Sequence, residues 1–198
     1  MLDKINNEEM SMKKGIICIE TEWQVTIKDN RRYMDTSSML RFLHEVHQIP
    51  FLYRRVATEA ELTYYLKEFG KAEYMRRYSI LYFSFHGETH TIQLEGDKKD
   101  LSLSDLANLG DSVFSDRLVH FSSCKTMLKS ESMVKDFKEN TGAKLVSGYT
   151  KKVDTMLSCI HDLSLFDSYL SYKKVPSILR RMETVYGGLS KELGFKIY

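Results

Sequence analysis

Two side chains of catalytic type come at the ends of two apolar segments of the sequence. His86 ends the segment ILYFSFH, and Cys124 ends the segment LVHFSSC. A thiolate is a nucleophile, and an imidazole can take the proton of the thiol and later protonate a leaving amine. If both segments are strands of one parallel sheet, both side chains reach the same carboxyl edge, where open α/β sheets place their sites. The pattern predicts a Cys/His dyad with the chemistry of a cysteine peptidase.

The neighbours of these two residues favour the same interpretation. Gly87 follows the histidine and permits close approach of another backbone or a substrate. We expect the N–H groups of Gly87 and Cys124 to bind the oxyanion of the reaction. A structural interpretation stays open, because cysteine is often buried and a histidine at a strand end is often only a polar cap.

The rest of the chain alternates between strand and helix patterns, which indicates an α/β fold with a mostly parallel sheet covered on both faces. Beside the two strands that lead to His86 and Cys124, strands are predicted at 15–20, 51–56, 145–149 and 195–198. Helices are predicted at 36–48, 58–70, 103–109, 133–140 and 156–193, the last broken near Pro176, and a hairpin is predicted around Gly96 and Asp97. A chain of 198 residues fits one domain, and we expect residues 1–13 to be a flexible N-terminal segment.

Around the two catalytic candidates the sequence resembles the caspase-like superfamily of cysteine peptidases, which includes caspases, gingipains, separase and CHAT domains. The likeness is closest to CHAT domains, whose second block typically has Ser-Ala-Cys-Glu-Thr where residues 122–126 have Ser-Ser-Cys-Lys-Thr. Residues 91–109 resemble the CHAT hairpin and short helix, and residues 142–154 resemble the CHAT strand that ends in a Val-Asp pair. The CHAT tryptophan before that pair and the caspase Gln-Ala-Cys-Arg-Gly signature are absent. The resemblance covers residues 79–154 and implies a caspase-like three-layer sandwich.

The same resemblance implies a specificity pocket near the end of the first strand, with a charge opposite to that of the substrate residue. Glu22 is the first candidate, with Asp154 and Glu20 as further acidic candidates. A carboxylate there would bind arginine or lysine on the acyl side of the cleaved bond. Exposed carboxylates are common, so each of the three is also consistent with an ordinary surface acid.

The resemblance also implies a setting and partners. The expected partner is a protein or peptide substrate, and small bacterial relatives often act in defence systems, switched on by an activating protein or a nucleotide signal. Two alternatives stay open: a caspase-like pseudopeptidase that only binds a partner or signal, and an unrelated α/β binding protein.

Composition and short motifs exclude several other classes. The formal net charge of +2 is too small to favour a nucleic-acid partner, and no apolar run is long enough for a membrane span. The N-terminus is polar and unlike a signal sequence, so we expect a cytoplasmic protein with free thiols at Cys18, Cys124 and Cys159. No Gly-rich dinucleotide motif is present, and His44 with His47 lacks the zinc pattern and a third ligand. We therefore expect no cofactor and no metal.

Overall fold

Nine strands form two sheets in the computed structural model, which describes residues 15–21, 35–129 and 131–198. They are β1 (Gly15–Thr21), β2 (Phe51–Val56), β3 (Tyr78–Ser84), β4 (His86–Glu88), β5 (Thr91–Gln93), β6 (Leu101–Ser102), β7 (Leu118–Ser122), β8 (Leu145–Tyr149) and β9 (Phe195–Ile197). The central sheet has six strands in the order β2-β1-β3-β7-β8-β9, parallel except for the β8–β9 pair. β1 and β3 are buried along their whole length, as their continuous apolar runs predict.

Helices cover both faces of the central sheet. They are α1 (Ser37–His47), α2 (Glu59–Phe69), α3 (Ala72–Arg77), α4 (Leu103–Gly110), a 3₁₀ turn (Asp111–Phe114), α5 (Glu131–Thr141), α6 (Thr155–Ser171) and α7 (Val175–Leu193). Apolar residues of α1, α6 and α7 pack on one face, and those of α2, α4, α5 and the 3₁₀ turn pack on the other. The predicted α/β fold with a mostly parallel, doubly covered sheet is confirmed.

Local sequence signals set most helix ends. Thr58 and Glu61 form the predicted capping box at the start of α2. Gly142 follows α5 with a φ of +66°, a left-handed conformation that glycine adopts without strain. Pro176 lies in the first turn of α7, where its missing N–H costs nothing, so the predicted break falls just before it.

The structure differs from the sequence prediction on both sides of β3. His86 does not end β3 but begins β4, which turns at Thr89 and His90 to pair with β5. His90 adopts a φ of +64° there, without the glycine that usually marks such a turn, so the sequence carried no signal for it. The predicted hairpin at Gly96 and Asp97 corresponds to the antiparallel β5–β6 connection. The helix α3 was not predicted either, because its six residues are too few for a clear periodicity.

The strand order places a crevice at the carboxyl ends of β1 and β3. The chain leaves β1 for β2 on one side through α1, then returns across β1 to β3 on the other side through α2. The helices α1 and α2 therefore lie on opposite faces, and the two connections diverge between β1 and β3. Ligands of open α/β sheets bind at such a switch point.

Among the helices described here, none is both long and apolar enough to cross a lipid bilayer.

Candidate active site

The segments that carry His86 and Cys124 lie against each other at the carboxyl edge of the sheet. β3 and β7 are paired with Ser84 opposite Ser122, and the two catalytic candidates each follow two residues later. The closeness continues beyond the strands. A methyl group built at Gly87 would lie 2.9 Å from the carbonyl oxygen of Cys124 and 2.5 Å from Oγ1 of Thr126. The structure thus brings the segment that carries His86 and Gly87 against the turn that carries Cys124.

Cys124 lies half-buried in a tight turn that is tied to its neighbours. The N–H of Lys125 donates to the carbonyl of Lys151 at 3.0 Å, and the N–H of Met127 donates to the carbonyl of Tyr149 at 3.0 Å. Lys125 itself has a φ of +56°, a left-handed conformation that a lysine rarely adopts. Such strained positions persist only where surrounding contacts hold them, and they often occur at functional sites.

The backbone N–H of Cys124 is a donor of the kind that an oxyanion site needs. Within the described residues it donates no hydrogen bond, although the N–H groups on the far side of the turn are paired. A preorganised donor without an internal partner, next to a thiol, is the arrangement that would stabilise a tetrahedral oxyanion if Cys124 is a nucleophile. Gly87 lies in β4, where it pairs with Ile92 of β5. The oxyanion role that the sequence analysis gives to its N–H stays a prediction.

His86 is exposed at this edge, and partial desolvation of its ring lowers its pKa from the ordinary value, although the charge of Glu95 acts in the opposite direction. A lowered pKa keeps the imidazole neutral at pH 7. A neutral imidazole is the form that can accept the proton of a thiol.

Glu20 lies at the switch-point crevice but is fully engaged. Its carboxylate is buried, with 0% of the side chain exposed, and lies 3.6 Å from Nε of Arg55. The Ser84 hydroxyl donates to it at 3.2 Å, the Thr36 N–H donates at 3.3 Å, and the Tyr53 hydroxyl donates a further hydrogen bond. The charge and the lone pairs of Glu20 are therefore already matched by groups of the protein.

Asp154 is exposed and caps the N-terminus of α6. Its Oδ1 accepts a hydrogen bond from the N–H of Leu157 at 3.0 Å, while its Oδ2 has no partner within the described residues. The loop that carries Asp154 is joined to the Cys124 turn through Lys151. Glu22, the first acidic candidate of the sequence analysis, lies outside the described residues.

Cations near this edge are bound elsewhere. Nζ of Lys125 lies 3.2 Å from a carboxylate oxygen of Glu88, across the two segments of the site. Nζ of Lys151 donates to the carbonyls of Lys191 and Glu192, at 3.0 and 2.9 Å, where α7 ends. The last carbonyls of a helix favour a cation there. Neither ammonium contacts Asp154.

Sequence reasoning missed a buried polar cluster beneath this edge. Its hub is Asp162 of α6, which no solvent reaches, and a second member is His120 of β7. The signal was available, because charged and imidazole side chains inside the apolar runs CIHDLSLF and LVHFS are costly unless they are paired.

The described residues contain no group of three His, Cys, Asp or Glu side chains placed to hold a metal ion. Nδ1 of His44 lies 3.0 Å from the carbonyl of Ile49, and Nε2 of His47 lies 3.5 Å from Asp167.

A groove of about 370 Å³ lies elsewhere, between α4 and α5. Leu103, Ala107, Met133 and Phe137 form its apolar lining, and none of the predicted site residues borders it. The carboxyl edge of the sheet, where the segments that carry His86 and Cys124 lie against each other, is therefore the candidate site.

Comparison with known proteins identifies a family for the chain but gives no activity. No curated protein matches it. Residues 13–198, nearly the whole chain, match a family of unknown function, DUF6642, and the protein belongs to that family.

Proposed function

We propose that the protein is a cysteine endopeptidase that uses Cys124 and His86 and cleaves after a basic residue. The observation that carries this proposal is the contact between the two segments, in which Gly87 lies against the carbonyl of Cys124. The likeness to caspase-like peptidases agrees with it.

The expected reaction is acyl transfer through a thioester. His86 takes the proton of the Cys124 thiol while the sulfur attacks the carbonyl carbon of the substrate. The oxyanion receives a hydrogen bond from the Cys124 N–H. When the C–N bond breaks, His86 returns the proton to the leaving amine, and it then activates a water molecule that hydrolyses the thioester.

Of the two candidate acids that the structure describes, Asp154 is better suited than Glu20 to receive a basic side chain. Glu20 is saturated by Arg55, Tyr53 and its other donors, whereas Asp154 keeps one carboxylate oxygen without a partner. The ammonium groups of Lys151 and Lys125, two cations of this edge, are held by other groups and not by Asp154, which supports a role for its charge in binding a guanidinium or an ammonium. Glu22 remains a second candidate by its place after β1.

A peptide panel that differs only at the acyl-side residue tests the function. We expect cleavage after Arg or Lys in the wild type and no cleavage by Cys124→Ala or His86→Ala, with folding of each variant checked by circular dichroism. A peptidyl-arginine electrophile should label Cys124. Cys159→Ser, which removes another half-buried thiol, should still be labelled.

Cleavage by Cys124→Ala would refute the proposal, and preference for Asp or an apolar residue would refute the acidic pocket. The panel is to be run with and without candidate activating proteins and nucleotides, because the resemblance predicts activation by one of them. A wild type that is neither labelled nor active under any of these conditions would favour the pseudopeptidase.

A further inference from the structure

A buried cluster of hydrogen-bonded side chains surrounds one carboxylate beneath the candidate site. The hub is Asp162, which accepts hydrogen bonds from the Tyr82 hydroxyl at 2.8 Å, from Nε2 of His120 at 2.6 Å, and from the Tyr149 hydroxyl. Nδ1 of His120 lies 2.8 Å from the Ser147 hydroxyl. We call these five residues the Asp162 cluster, and none of them is more than 1% exposed.

A contribution to the free energy of unfolding is a weak reason for such a cluster. Burial alone would raise the pKa of Asp162, but the charge of His120 and the hydrogen bonds that the carboxylate accepts lower it overall, so the carboxylate is ionised inside the core. Packed apolar residues of similar volume are often at least as stabilising as such a buried ionic group. Directional hydrogen bonds, in contrast, set the relative position of the elements that they join.

The elements joined by the Asp162 cluster are those that lead to the dyad. Tyr82 of β3, His120 of β7 and Ser147 of β8 are neighbours in one row across the sheet. His86 follows Tyr82 by four residues, and Cys124 follows His120 by four residues. One carboxylate therefore ties three adjacent strands to α6, just below the edge where two of them deliver the catalytic side chains.

We infer that Asp162 is a positioning residue, which holds the ends of β3 and β7 at the spacing that the His86–Cys124 pair requires. The inference rests on the proposed function. Hydrogen bonds are directional whereas apolar contacts are not, and a misplacement of about 1 Å of a reacting group can cost about 10²-fold in rate.

The test measures Cys124 directly rather than peptidase turnover. All proteins carry Cys159→Ser, and Cys18 is wholly buried, so iodoacetamide reports on Cys124. Rate constants of alkylation are measured from pH 5 to pH 9 by mass spectrometry. If an imidazole assists the thiol, His86→Ala should slow alkylation at pH 7 by about tenfold or more, since a free thiol is only a few per cent ionised there.

Asp162→Asn should remove most of this His86-dependent acceleration and shift the pH profile toward that of His86→Ala. The matched control is Leu165→Ala, a wholly buried position one turn further along α6 that destabilises the core without touching the carboxylate. It should lower the melting temperature and keep the acceleration. If Asp162→Asn does not fold, Tyr82→Phe, which removes one donor and keeps the ring, serves instead, and we expect it to lose part of the acceleration.

Two outcomes would overturn the inference. Full acceleration in Asp162→Asn, or in Tyr82→Phe where that variant replaces it, would make the cluster purely structural. An equal loss in Leu165→Ala would do the same. No effect of His86→Ala in the Cys159→Ser background would instead refute the dyad itself, and the positioning role with it.

Discussion

Gly87 is the residue at which the geometry of the site is most sensitive to one added atom. A Cβ atom there would lie 2.5 Å from Oγ1 of Thr126, 2.8 Å from Cβ of Ser123 and 2.9 Å from the Cys124 carbonyl oxygen. Because the last of these is backbone, the clash must separate β4 from the Cys124 turn. We predict that Gly87→Ala lowers labelling of Cys124 by the peptidyl-arginine electrophile by about 10²-fold.

Gly188→Ala is the matched control for this prediction. Gly188 lies in α7, where an added methyl group would have no atom within 4 Å apart from its chain neighbours and the backbone of the helix itself, so the variant should label normally. It should also raise the free energy of unfolding by about 0.5–1 kcal/mol, because alanine is the better helix former. Unchanged labelling of Gly87→Ala would mean that the reactivity of Cys124 does not depend on the close contact between β4 and the Cys124 turn.

The sequence placed a glycine beside His86 and suggested a close approach, but it could not say what approaches. The neighbour is a turn that lies 36 to 39 residues further along the chain, and only the pairing of β3 with β7 brings it there.

Helix α6 allows the charge of Asp154 to be separated from its role as a cap. Asparagine caps helices about as well as aspartate, whereas alanine removes the cap. We predict that Asp154→Ala lowers the free energy of unfolding by about 1 kcal/mol and that Asp154→Asn leaves it nearly unchanged. If Asp154 selects the substrate, both variants lose the preference for Arg over an uncharged residue in the peptide panel.

Retained Arg preference in Asp154→Asn would make Asp154 a helix cap only and would leave Glu22 as the specificity acid. Urea unfolding of the two variants beside the wild type provides the control for the cap.

At the scale of the elements, the sequence predicted the strands but not which acids have partners within the protein. Glu20 meets its partners Tyr53 and Arg55 only through the parallel pairing of β1 with β2.

The whole molecule should lose stability in mildly acidic solution because of one buried imidazole. His161 of α6 is buried, with Nδ1 at 3.1 Å from the Tyr149 hydroxyl and Nε2 at 2.8 Å from the Ser190 hydroxyl. Burial lowers the pKa of His161 to about 4, although the charge of Asp162 acts to raise it. In the unfolded chain the pKa of a histidine is about 6.5.

Between these two pKa values the unfolded chain binds a proton that the folded protein does not bind. The free energy of unfolding therefore decreases as the pH falls below about 6.5, and the contribution of His161 amounts to about 2 kcal/mol between pH 7 and pH 5. Urea unfolding of the wild type and His161→Gln at both pH values measures it. The variant should show a pH dependence smaller by about that amount, and an equal dependence would contradict the prediction.

The sequence by itself determined the six strands of the central sheet, the longer helices and the places of the two catalytic candidates. Those features depend on local physics: continuous apolar runs in β1 and β3, the Thr58–Glu61 capping box, and the left-handed Gly142. The alternation of strands and helices then required a mostly parallel sheet with helices on both faces.

Only the tertiary structure decided which polar groups pair. Glu20 and Asp162 are both carboxylates in apolar surroundings, yet one is matched by Arg55 of the neighbouring strand and the other by His120 and two tyrosines. Arg55 lies 35 residues from Glu20 along the chain, and the partners of Asp162 lie 13, 42 and 80 residues away. Such pairing follows from the order of the strands in the sheet and from the helix packed on it. A local pattern cannot specify it, because the desolvation that makes each pair necessary arises only when those elements come together.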